Sequence, residues 1–471
     1  MNDTICALAT APGGALGIIR VSGPDALTIV SSLCSIPCNS VTANTVHYTR
    51  LYDSSCDAVY PHQSPLDEVL LTVFRAPHSY TGEDSVEISC HGSRYILNKV
   101  LSLLVKNGCR MAGPGEFTQR AYLNGKMDLS QAEAVADLIA STNQATHQMA
   151  MSQLRGHFSS ELSRLREQLL KLTSLLELEL DFSDHEDLEF ANRSELLSLT
   201  KEIDNHITRL ARSFETGQAL KQGIPVAIVG KTNVGKSTLL NQLLGDNRAI
   251  VSDIHGTTRD TIEDTMDIDG VTFRFIDTAG LRDTTDEIER IGIQRTYAAI
   301  DKARIVLWLF DTHPTADDIA DITTRCSGRT LLPIWNKTDL HPDLRVPDFR
   351  PLCDCAKATL TISAKHGQGL DALKAAIYKA ADIPTLSSTD IIVSNARHYD
   401  ALLRAHDSIQ RVIDGLTPID APHPTFHSSL PPDLLSEDLR QALDALAEIT
   451  GGQITPNEVL NNIFSQFCVG K

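Results

Sequence analysis

The chain has 471 residues, and its 42 Lys and Arg against 60 Asp and Glu give a formal net charge of −18. The length predicts two to four domains, and a content of 42% hydrophobic and 22% charged residues excludes a mostly disordered chain. The acidic balance also excludes the overall basic footprint of a non-specific nucleic-acid binder, although one domain can still carry a local basic patch.

The cellular setting is predicted from features that the sequence lacks. No Lys or Arg occurs before Arg20, and no apolar run approaches the ~20 residues that a membrane span requires. The ten cysteines are too sparse for a disulfide scaffold. The close pairs are Cys34 with Cys38 and Cys353 with Cys355. Because no second pair of Cys or His completes a zinc set, we predict reduced, metal-free cysteines in a cytoplasmic protein with no membrane segment.

Residues 1–122 mix short β-rich runs with Gly and Pro turns. The predicted strands include 17–21, 68–74 and 85–89, and the last of these alternates with the period of a half-buried strand. A helix is predicted over 95–105. This mixture indicates an α+β N-terminal domain.

Helical texture covers residues 123–220 and resumes over 384–471. One face of a predicted helix carries leucines at spacings of three and four, namely Leu162, Leu165, Leu169, Leu172 and Leu176. A second face near the C-terminus carries Leu435, Leu439, Leu443, Leu446 and Ile449. These two stretches predict one discontinuous, all-α helical domain.

Residues 221–383 alternate strand and helix patterns, which is typical of a doubly wound, mostly parallel α/β sheet. The predicted strands are 225–229, 272–276, 305–310, 331–335 and 360–363. The sequence therefore predicts an α/β domain inserted into the helical domain.

A phosphate-binding loop follows the first of these strands. Residues Gly230 to Ser237 fit the pattern G-x-x-x-x-G-K-[ST] between a predicted strand and a predicted helix, the context that supports this motif. Backbone N–H groups of such a loop surround phosphate oxygens, Lys236 adds a cation, and the Ser237 hydroxyl binds Mg²⁺. The residues expected at the nucleotide are Asn233, Val234, Gly235, Lys236, Ser237 and Thr238.

Further motifs after later strands predict which nucleotide is bound. The first comprises Asp277, Thr278, Ala279 and Gly280, and its carboxylate can hold the water shell of the metal. The second comprises Asn336, Lys337, Thr338 and Asp339, and a third loop comprises Ser363, Ala364 and Lys365. The carboxylate of Asp339 can accept hydrogen bonds from guanine N1–H and its amino group. Adenine lacks that pair of donors, so this residue selects GTP.

Between Ser237 and Asp277 lies a loop with the composition of a nucleotide-sensing switch. A threonine there can reach Mg²⁺ and sense the γ-phosphate, so the loop would order and disorder with the nucleotide. Its members are Ser252, Asp253, Ile254, His255, Gly256, Thr257 and Thr258. Gly, Thr and Asp also suit an ordinary turn, but the spacing favours the switch.

The hydrolytic machinery differs from that of many small GTPases, in which a Gln after the Asp-x-x-Gly turn orients water. Leu281 stands at that position. The nearby acidic candidates are Glu287 and Glu289, which suit a solvated helix start equally well. No arginine finger can be assigned from the sequence. A monovalent cation bound by the side-chain carbonyl of Asn233 would supply the missing positive charge.

Taken together, these residues resemble the MnmE (TrmE) family of tRNA-modifying GTPases. Segment 113–139 is very similar to that family's junction of N-terminal and helical domains, and segment 277–292 matches its second switch region almost throughout. The chain end 467–471, Phe-Cys-Val-Gly-Lys, matches its terminal motif. The resemblance covers essentially the whole chain, including the inserted-domain plan.

The resemblance implies a folate site and a homodimer interface in the N-terminal domain. The residues that match its contacts to 5-formyl- or 5,10-methylene-tetrahydrofolate are Arg20, Glu87, Lys126 and Lys471. Physically, Arg and Lys suit the glutamate carboxylates of a folate, and Glu87 suits a pterin edge. Cys468 matches a terminal cysteine required for the modification, whereas from its chemistry alone a buried apolar cysteine is the simpler interpretation.

The resemblance also implies two cation sites and a catalytic glutamate. Ser237 and Thr258 match the Mg²⁺ ligands. The K⁺ ligands are matched by Asn233, Ser252, Ile254 and Thr257. Potassium would take the place of an arginine finger between dimerised GTPase domains. Glu289, rather than Glu287, matches the residue that orients the hydrolytic water, so the implied catalytic residues are Glu289, Lys236 and Cys468.

The sequence therefore predicts a K⁺-stimulated GTPase that is activated by dimerisation. With the flavoprotein partner MnmG, in a heterotetramer, it would modify the wobble uridine of certain tRNAs to the 5-carboxymethylaminomethyl form. The alternative is a ribosome-assembly GTPase that acts as an RNA-binding switch. That alternative lacks an evident basic RNA-binding domain after Lys365 and leaves the chain end without a role.

Overall fold

The structure is a computed structural model of the chain. It describes residues 3–53, 64–181, 193–245, 264–276, 297–340, 346–350, 354–383, 390–417, 432–452, 460, 463–465, 467 and 470. Its contacts divide the chain into two compact units. The first comprises Met1–Ile139, Gln153–Thr200 and Ser408–Lys471, and the second comprises Ala140–Ser152 and Lys201–Asp407. The three predicted domain ranges, 1–122, 123–220 with 384–471, and 221–383, stay predictions.

In the first unit, six strands of the described chain form one mixed sheet in the order β3-β4-β5-β2-β1-β6. The strands are β1 (Ile5–Leu8), β2 (Leu16–Ser22), β3 (Thr45–Leu51), β4 (Asp67–Phe74), β5 (Ser85–His91) and β6 (Arg110–Met111). Neighbouring strands are antiparallel except β1 with β6. In β4, Val69, Leu71 and Val73 are buried and alternate with more exposed residues. This period of two gives the sheet one apolar face, which packs on helices α1 (Ala26–Leu33) and α2 (Arg94–Lys106).

The first unit also contains helices α3 (Glu116–Leu123), α4 (Leu129–Ala140), α6 (His157–Asp181) and α12 (Pro432–Thr450), of which α6 and α12 carry the predicted leucine faces. Helix α5 (Gln144–Leu154) belongs largely to the second unit, and α7 (Arg193–Gln222) has residues in both units. All five leucines of the first stripe lie in α6 and are at most 3% exposed. In α12, Leu435, Leu439, Leu446 and Ile449 are buried. The two helices pack together, and an exposed ion pair joins Arg440 Nη2 to Glu177 Oε1 at 2.9 Å. The prediction of a helical region is confirmed.

The second unit contains the predicted α/β sheet. Among the described residues the strand order is β12-β11-β10-β7-β9-β8, and only β8 runs antiparallel to its neighbour. The strands are β7 (Ile224–Val229), β8 (Asp264–Ile268), β9 (Val271–Phe275), β10 (Ile305–Phe310), β11 (Thr330–Trp335) and β12 (Leu360–Thr361). Helices α8 (Lys236–Leu244), α9 (Ala316–Arg325), α10 (Leu370–Ala380) and α11 (Ala396–Leu416) follow in chain order.

Strand β10 shows why this sheet is parallel and covered on both sides. All six of its residues are buried. Leu307 and Leu309 belong to one apolar cluster, whereas Val306 and Trp308 belong to another. A strand that is buried on both faces reads as a continuous apolar run, which is how it was found in the sequence. The ends of such parallel strands lie at one edge of the sheet, where ligands of this fold bind.

The structure bears on the predicted state of the cysteines. Five described cysteines, Cys6, Cys38, Cys90, Cys109 and Cys326, are free and buried. The prediction that every cysteine is reduced is wrong for Cys355, which is disulfide-bonded. Sparse cysteines argue against a scaffold of many bridges, but they do not argue against a single one. None of the helices in the described ranges is both long and apolar enough to cross a bilayer.

Candidate functional site

The phosphate-binding loop lies at the carboxyl end of β7 and leads into α8. Gly230 and Gly235 have φ values of +152° and +99°, a backbone region that residues other than glycine rarely adopt. A Cβ atom at Gly230 would collide with the carbonyl oxygen of Leu309, and one at Gly235 would collide with the amide nitrogen of Asn336. Both glycines of the motif are therefore required by the close approach of neighbouring strand ends.

Lys236 begins α8 and bends back over the loop. Its Nζ donates to the carbonyl oxygens of Gly230 at 2.7 Å and Lys231 at 2.8 Å. Burial lowers the pKa of Lys236 from its ordinary value. A phosphate group at this point would offer its amine charged acceptors in place of neutral carbonyls. Ser237 and Thr238 follow in the first helical turn, as the motif predicts.

Asn336 ties three segments of the chain together. Its Nδ2 donates to the carbonyl oxygen of Val234 at 2.7 Å, and its Oδ1 accepts from the backbone N–H of Ala364 at 3.0 Å. The side chain is 2% exposed, and both bonds are inside the protein. This contact brings the phosphate loop, the Asn336–Asp339 motif and the Ser363–Lys365 loop to one end of the sheet.

Lys337 forms a second link from the Asn336–Asp339 motif to the phosphate loop. Its backbone has a φ of +60°, and its Nζ donates to the carbonyl oxygen of Asn233 at 2.8 Å. The same amine contacts Asp311 Oδ2 at 2.7 Å. Sequence reasoning missed Asp311, although its place directly after buried strand β10 was a usable signal. The side chain of Asn233 is exposed and makes no hydrogen bond to any residue that the structure describes.

The carboxylate of Asp339 is oriented by the third loop. Its Oδ1 accepts from the Ser363 hydroxyl at 2.6 Å, and its Oδ2 lies 3.7 Å from His366 Nε2. The hydrogen bond from Ser363 is the main reason that the pKa of Asp339 lies below its ordinary value. One oxygen is thus fixed, and the carboxylate is ready to accept hydrogen bonds from a base. His366 was not identified from the sequence.

A separate polar group lies in the first unit, where β2 and β5 pair. Arg20 and Glu87 are directly opposite each other, and Arg20 donates from Nε at 2.9 Å and Nη2 at 2.7 Å to Glu87 Oε1. The Arg20 guanidinium also lies 5.3 Å from the ring centre of Tyr80 and 5.5 Å from that of Phe117. The structure therefore brings these two predicted folate residues together, and it adds two aromatic residues that the sequence did not indicate.

Lys126 lies against the loop that carries Tyr80. Its Nζ donates to the carbonyl oxygen of Pro77 at 2.8 Å, and its side chain would approach a Cβ at Gly82 to 3.4 Å. Two of the four predicted folate residues thus border the segment 77–82, Arg20 through Tyr80 and Lys126 through Pro77, and Glu87 contacts Arg20.

The remaining predicted residues lie outside the described part of the chain. These are Ser252, Asp253, Ile254, His255, Gly256, Thr257, Thr258, Asp277, Thr278, Ala279, Gly280, Glu289, Cys468 and Lys471. Their roles stay predictions.

The parallel sheet and the loop at the end of β7 define a P-loop nucleotide-binding protein. Comparison with known proteins is more specific. The family model of the MnmE helical domain matches residues 129–468, and that of the GTP-binding protein TrmE N-terminus matches residues 4–126. The chain belongs to the MnmE family of tRNA modification GTPases.

Individual members of this family are similar to the chain over almost their full length. The tRNA modification GTPase MnmE of Phocaeicola vulgatus is 51% identical over 505 residues, which cover 100% of this chain and 99% of that protein. The protein of the same name from Bacteroides thetaiotaomicron is 52% identical over 478 residues, with 100% of both chains covered. That of Porphyromonas gingivalis is 49% identical, covering 100% of this chain and 98% of the relative.

The Ser363 hydroxyl yields a prediction about pH. Since its hydrogen bond lowers the pKa of Asp339, the carboxylate stays charged as the pH falls through the ordinary range of an aspartate. Ser363→Ala will raise that pKa, and GDP affinity, measured by fluorescence titration across acidic pH, will begin to fall at a higher pH than in the unmodified chain. Thr361→Ala, an exposed change on β12, is the matched control. Identical pH profiles for both variants would contradict this role of Ser363.

Proposed function

We propose that this chain hydrolyses GTP and couples the reaction to modification of a wobble uridine in certain tRNAs. The observation that supports the nucleotide site most strongly is the Asn336 side chain, which holds the phosphate loop and both guanine loops at one end of the sheet. The full-length similarity to tRNA modification GTPases supports the coupling to tRNA. The ribosome-assembly alternative has no specific observation in its favour.

Recognition of guanine would depend on Asp339. The Ser363 hydroxyl fixes one oxygen of the carboxylate, which would accept hydrogen bonds from the N1–H and amino groups of guanine. A base that lacks those donors would leave the carboxylate unpaired, and that loss is the basis of discrimination against ATP.

The phosphates would bind at the start of α8. Backbone N–H groups of the loop and the helix N-terminus attract the negative charge, and Lys236 would exchange its two carbonyl acceptors for phosphate oxygens. Ser237 and Thr258 would hold Mg²⁺. When bound, this ion neutralises negative charge on the phosphates. Asp277 would act through the water shell of the metal.

Hydrolysis would require a positive charge and an oriented water molecule. We assign the charge to K⁺, bound by Asn233, Ser252, Ile254 and Thr257 when two GTPase domains dimerise across the nucleotide. The support from the described residues is that the Asn233 amide is exposed while its backbone carbonyl is held by Lys337. Glu289 would orient the water in place of the glutamine that Leu281 replaces.

The tRNA reaction would take place in the cytoplasm in a complex with the flavoprotein MnmG. In that complex the N-terminal domain would form a homodimer and bind 5-formyl- or 5,10-methylene-tetrahydrofolate through Arg20, Glu87, Lys126 and Lys471, and Cys468 would take part in the modification. The net charge of −18 supports a division of labour in which the partner supplies much of the contact with RNA.

The cation requirement is tested by GTP turnover in K⁺ and Na⁺ at equal ionic strength. Turnover in K⁺ will exceed that in Na⁺ by about tenfold or more, because K⁺ stabilises charge that develops on the phosphates in the transition state. Asn233→Ala will remove most of the difference while leaving GDP affinity nearly unchanged. Equal turnover of the unmodified chain in the two salts would reject the K⁺ site.

The catalytic glutamate is tested by two matched variants. Glu289→Ala will lower GTP turnover by about 100-fold or more and leave GTP affinity nearly intact, because orientation of water affects the transition state and not the bound substrate. Glu287→Ala, two residues away, will turn over GTP normally. If Glu289→Ala is as active as the unmodified chain, or if Glu287→Ala is the inactive variant, the role belongs elsewhere.

A further inference from the structure

We infer that the outer face of helix α2 binds an RNA strand, with lysine side chains at the phosphates and an aromatic ring against an unpaired base. The face is defined by Tyr95, Lys99, Ser102 and Lys106, which we call the α2 stripe. The inference rests on the proposed function, because it names a part of this chain that would contact the tRNA.

The charge of α2 sets it apart in an acidic chain. Residues 88–115 contain four Lys and Arg and no Asp or Glu, whereas the whole chain has a net charge of −18. Among the helices that the structure describes, only α2 and α8 carry Lys or Arg without also carrying Asp or Glu. Helix α8 begins at Lys236 of the phosphate-binding loop. Helix α2 therefore shares its charge composition with the helix that meets phosphate.

The α2 stripe points away from the protein core. Its members are spaced by four, three and four residues, which places them on one side of the helix over about 17 Å. The opposite side carries Leu97, Val100 and Leu104, which are buried against the sheet. Tyr95 is 70% exposed, more than any other large hydrophobic side chain in the described part of the chain. Its ring is therefore open to a stacking partner.

The cations of α2 are available to a ligand. Within the described ranges, Arg94 and Lys106 form no ion pair or hydrogen bond through their side chains. Lys99 Nζ lies 3.0 Å from Asp53 Oδ2, but this pair is exposed, and such pairs contribute little stability. Arg94 stands in the first turn, where a positive charge opposes the helix dipole. Helix stability therefore does not explain Arg94, whereas contact with an anion does.

The combination of cations and an exposed ring fits single-stranded RNA. Proteins bind such strands by placing Lys and Arg along the phosphates and by stacking aromatic rings on unpaired bases. The wobble uridine of the proposed function lies in an unpaired loop, so its neighbourhood offers both groups. An acidic peptide would use the cations and leave Tyr95 without a partner. Because the rest of the chain is acidic, this face would also direct where an RNA strand can approach.

The phosphate contacts are tested with the full chain and an unmodified tRNA transcript, with affinity measured by fluorescence anisotropy at several salt concentrations. The double variant Arg94→Gln/Lys106→Gln will weaken binding at low salt by about tenfold or more. It will also lower the slope of log affinity against log salt by about 1.4, because each single-strand phosphate contact contributes about 0.7.

A second double variant controls for overall charge. Lys171→Gln/Lys379→Gln removes two exposed lysines from α6 and α10 and will leave affinity and slope nearly unchanged. An equal loss of affinity in both double variants would show that RNA responds only to net charge, and that result would overturn the inference.

The stacking contact is tested at Tyr95. Tyr95→Ala will weaken tRNA binding by about fivefold or more, and Tyr95→Phe, which retains the ring, will bind like the unmodified chain. A fully paired RNA duplex, which offers no unpaired base, will bind Tyr95→Ala and the unmodified chain equally. Unchanged tRNA affinity in Tyr95→Ala, with circular dichroism equal to that of the unmodified chain, would contradict the base contact.

A gain of affinity is expected when the one carboxylate paired with the α2 stripe is removed. Asp53→Asn releases Lys99 and will tighten tRNA binding about twofold or more at low salt, which misfolding does not explain. The matched control is Asp301→Asn, which removes an exposed carboxylate from the second unit and will have little effect. Equal effects of the two variants would contradict a local contact at Lys99.

Failure of the inference is distinguishable from failure of the proposed function. Absence of tRNA binding by the unmodified chain at low salt would overturn the α2 contact, while the wobble nucleosides of a strain that lacks the chain test the coupling to tRNA separately. Binding to vesicles of phosphatidylglycerol and phosphatidylcholine is measured with the same variants. If Arg94→Gln/Lys106→Gln abolishes vesicle binding and leaves tRNA affinity unchanged, the face belongs to a membrane and the inference is overturned.

Discussion

The side-chain amide of Asn336 is the contact on which the nucleotide site depends. It satisfies the carbonyl oxygen of Val234 and the backbone N–H of Ala364, two groups that belong to different loops. An unpaired polar group at such a buried position costs about 1–3 kcal/mol, so any displacement of one loop that breaks these bonds is disfavoured by that amount. The amide also explains the glycine at 235, because any side chain there would collide with it. The loop that binds the phosphates and the loops that bind the base are therefore held together by the same side chain.

The parts of this arrangement that could be read from the sequence are those encoded locally. Strand β10 was found because a doubly covered strand is a continuous apolar run, and the phosphate loop because its glycines and lysine stand at fixed spacing. The partners of Asn336 were not predictable, since hydrogen bonds across about 30 and 100 residues leave no local pattern. The disulfide of Cys355 could not be predicted, because sparse cysteines exclude a scaffold of many bridges and say nothing about a single one.

The folate residues show a different limit. The resemblance implies both Arg20 and Glu87 as folate contacts, and their individual charges suit opposite ends of that ligand. Their contact across β2 and β5 is a consequence of strand register, which places them opposite each other on one face. Tyr80 lies in a loop and Phe117 lies in α3, where an aromatic residue is ordinarily interpreted as core, so no signal in the sequence indicated that they contact Arg20.

Whether this acidic GTPase acts on tRNA is decided by the wobble nucleosides of the cell. These nucleosides are quantified in total tRNA by mass spectrometry, in a strain that lacks this chain and in the same strain after the gene is restored. We expect 5-carboxymethylaminomethyl uridine to be lost without the chain and to return with it. Unchanged wobble uridines in its absence would rule out a role for the chain in tRNA modification.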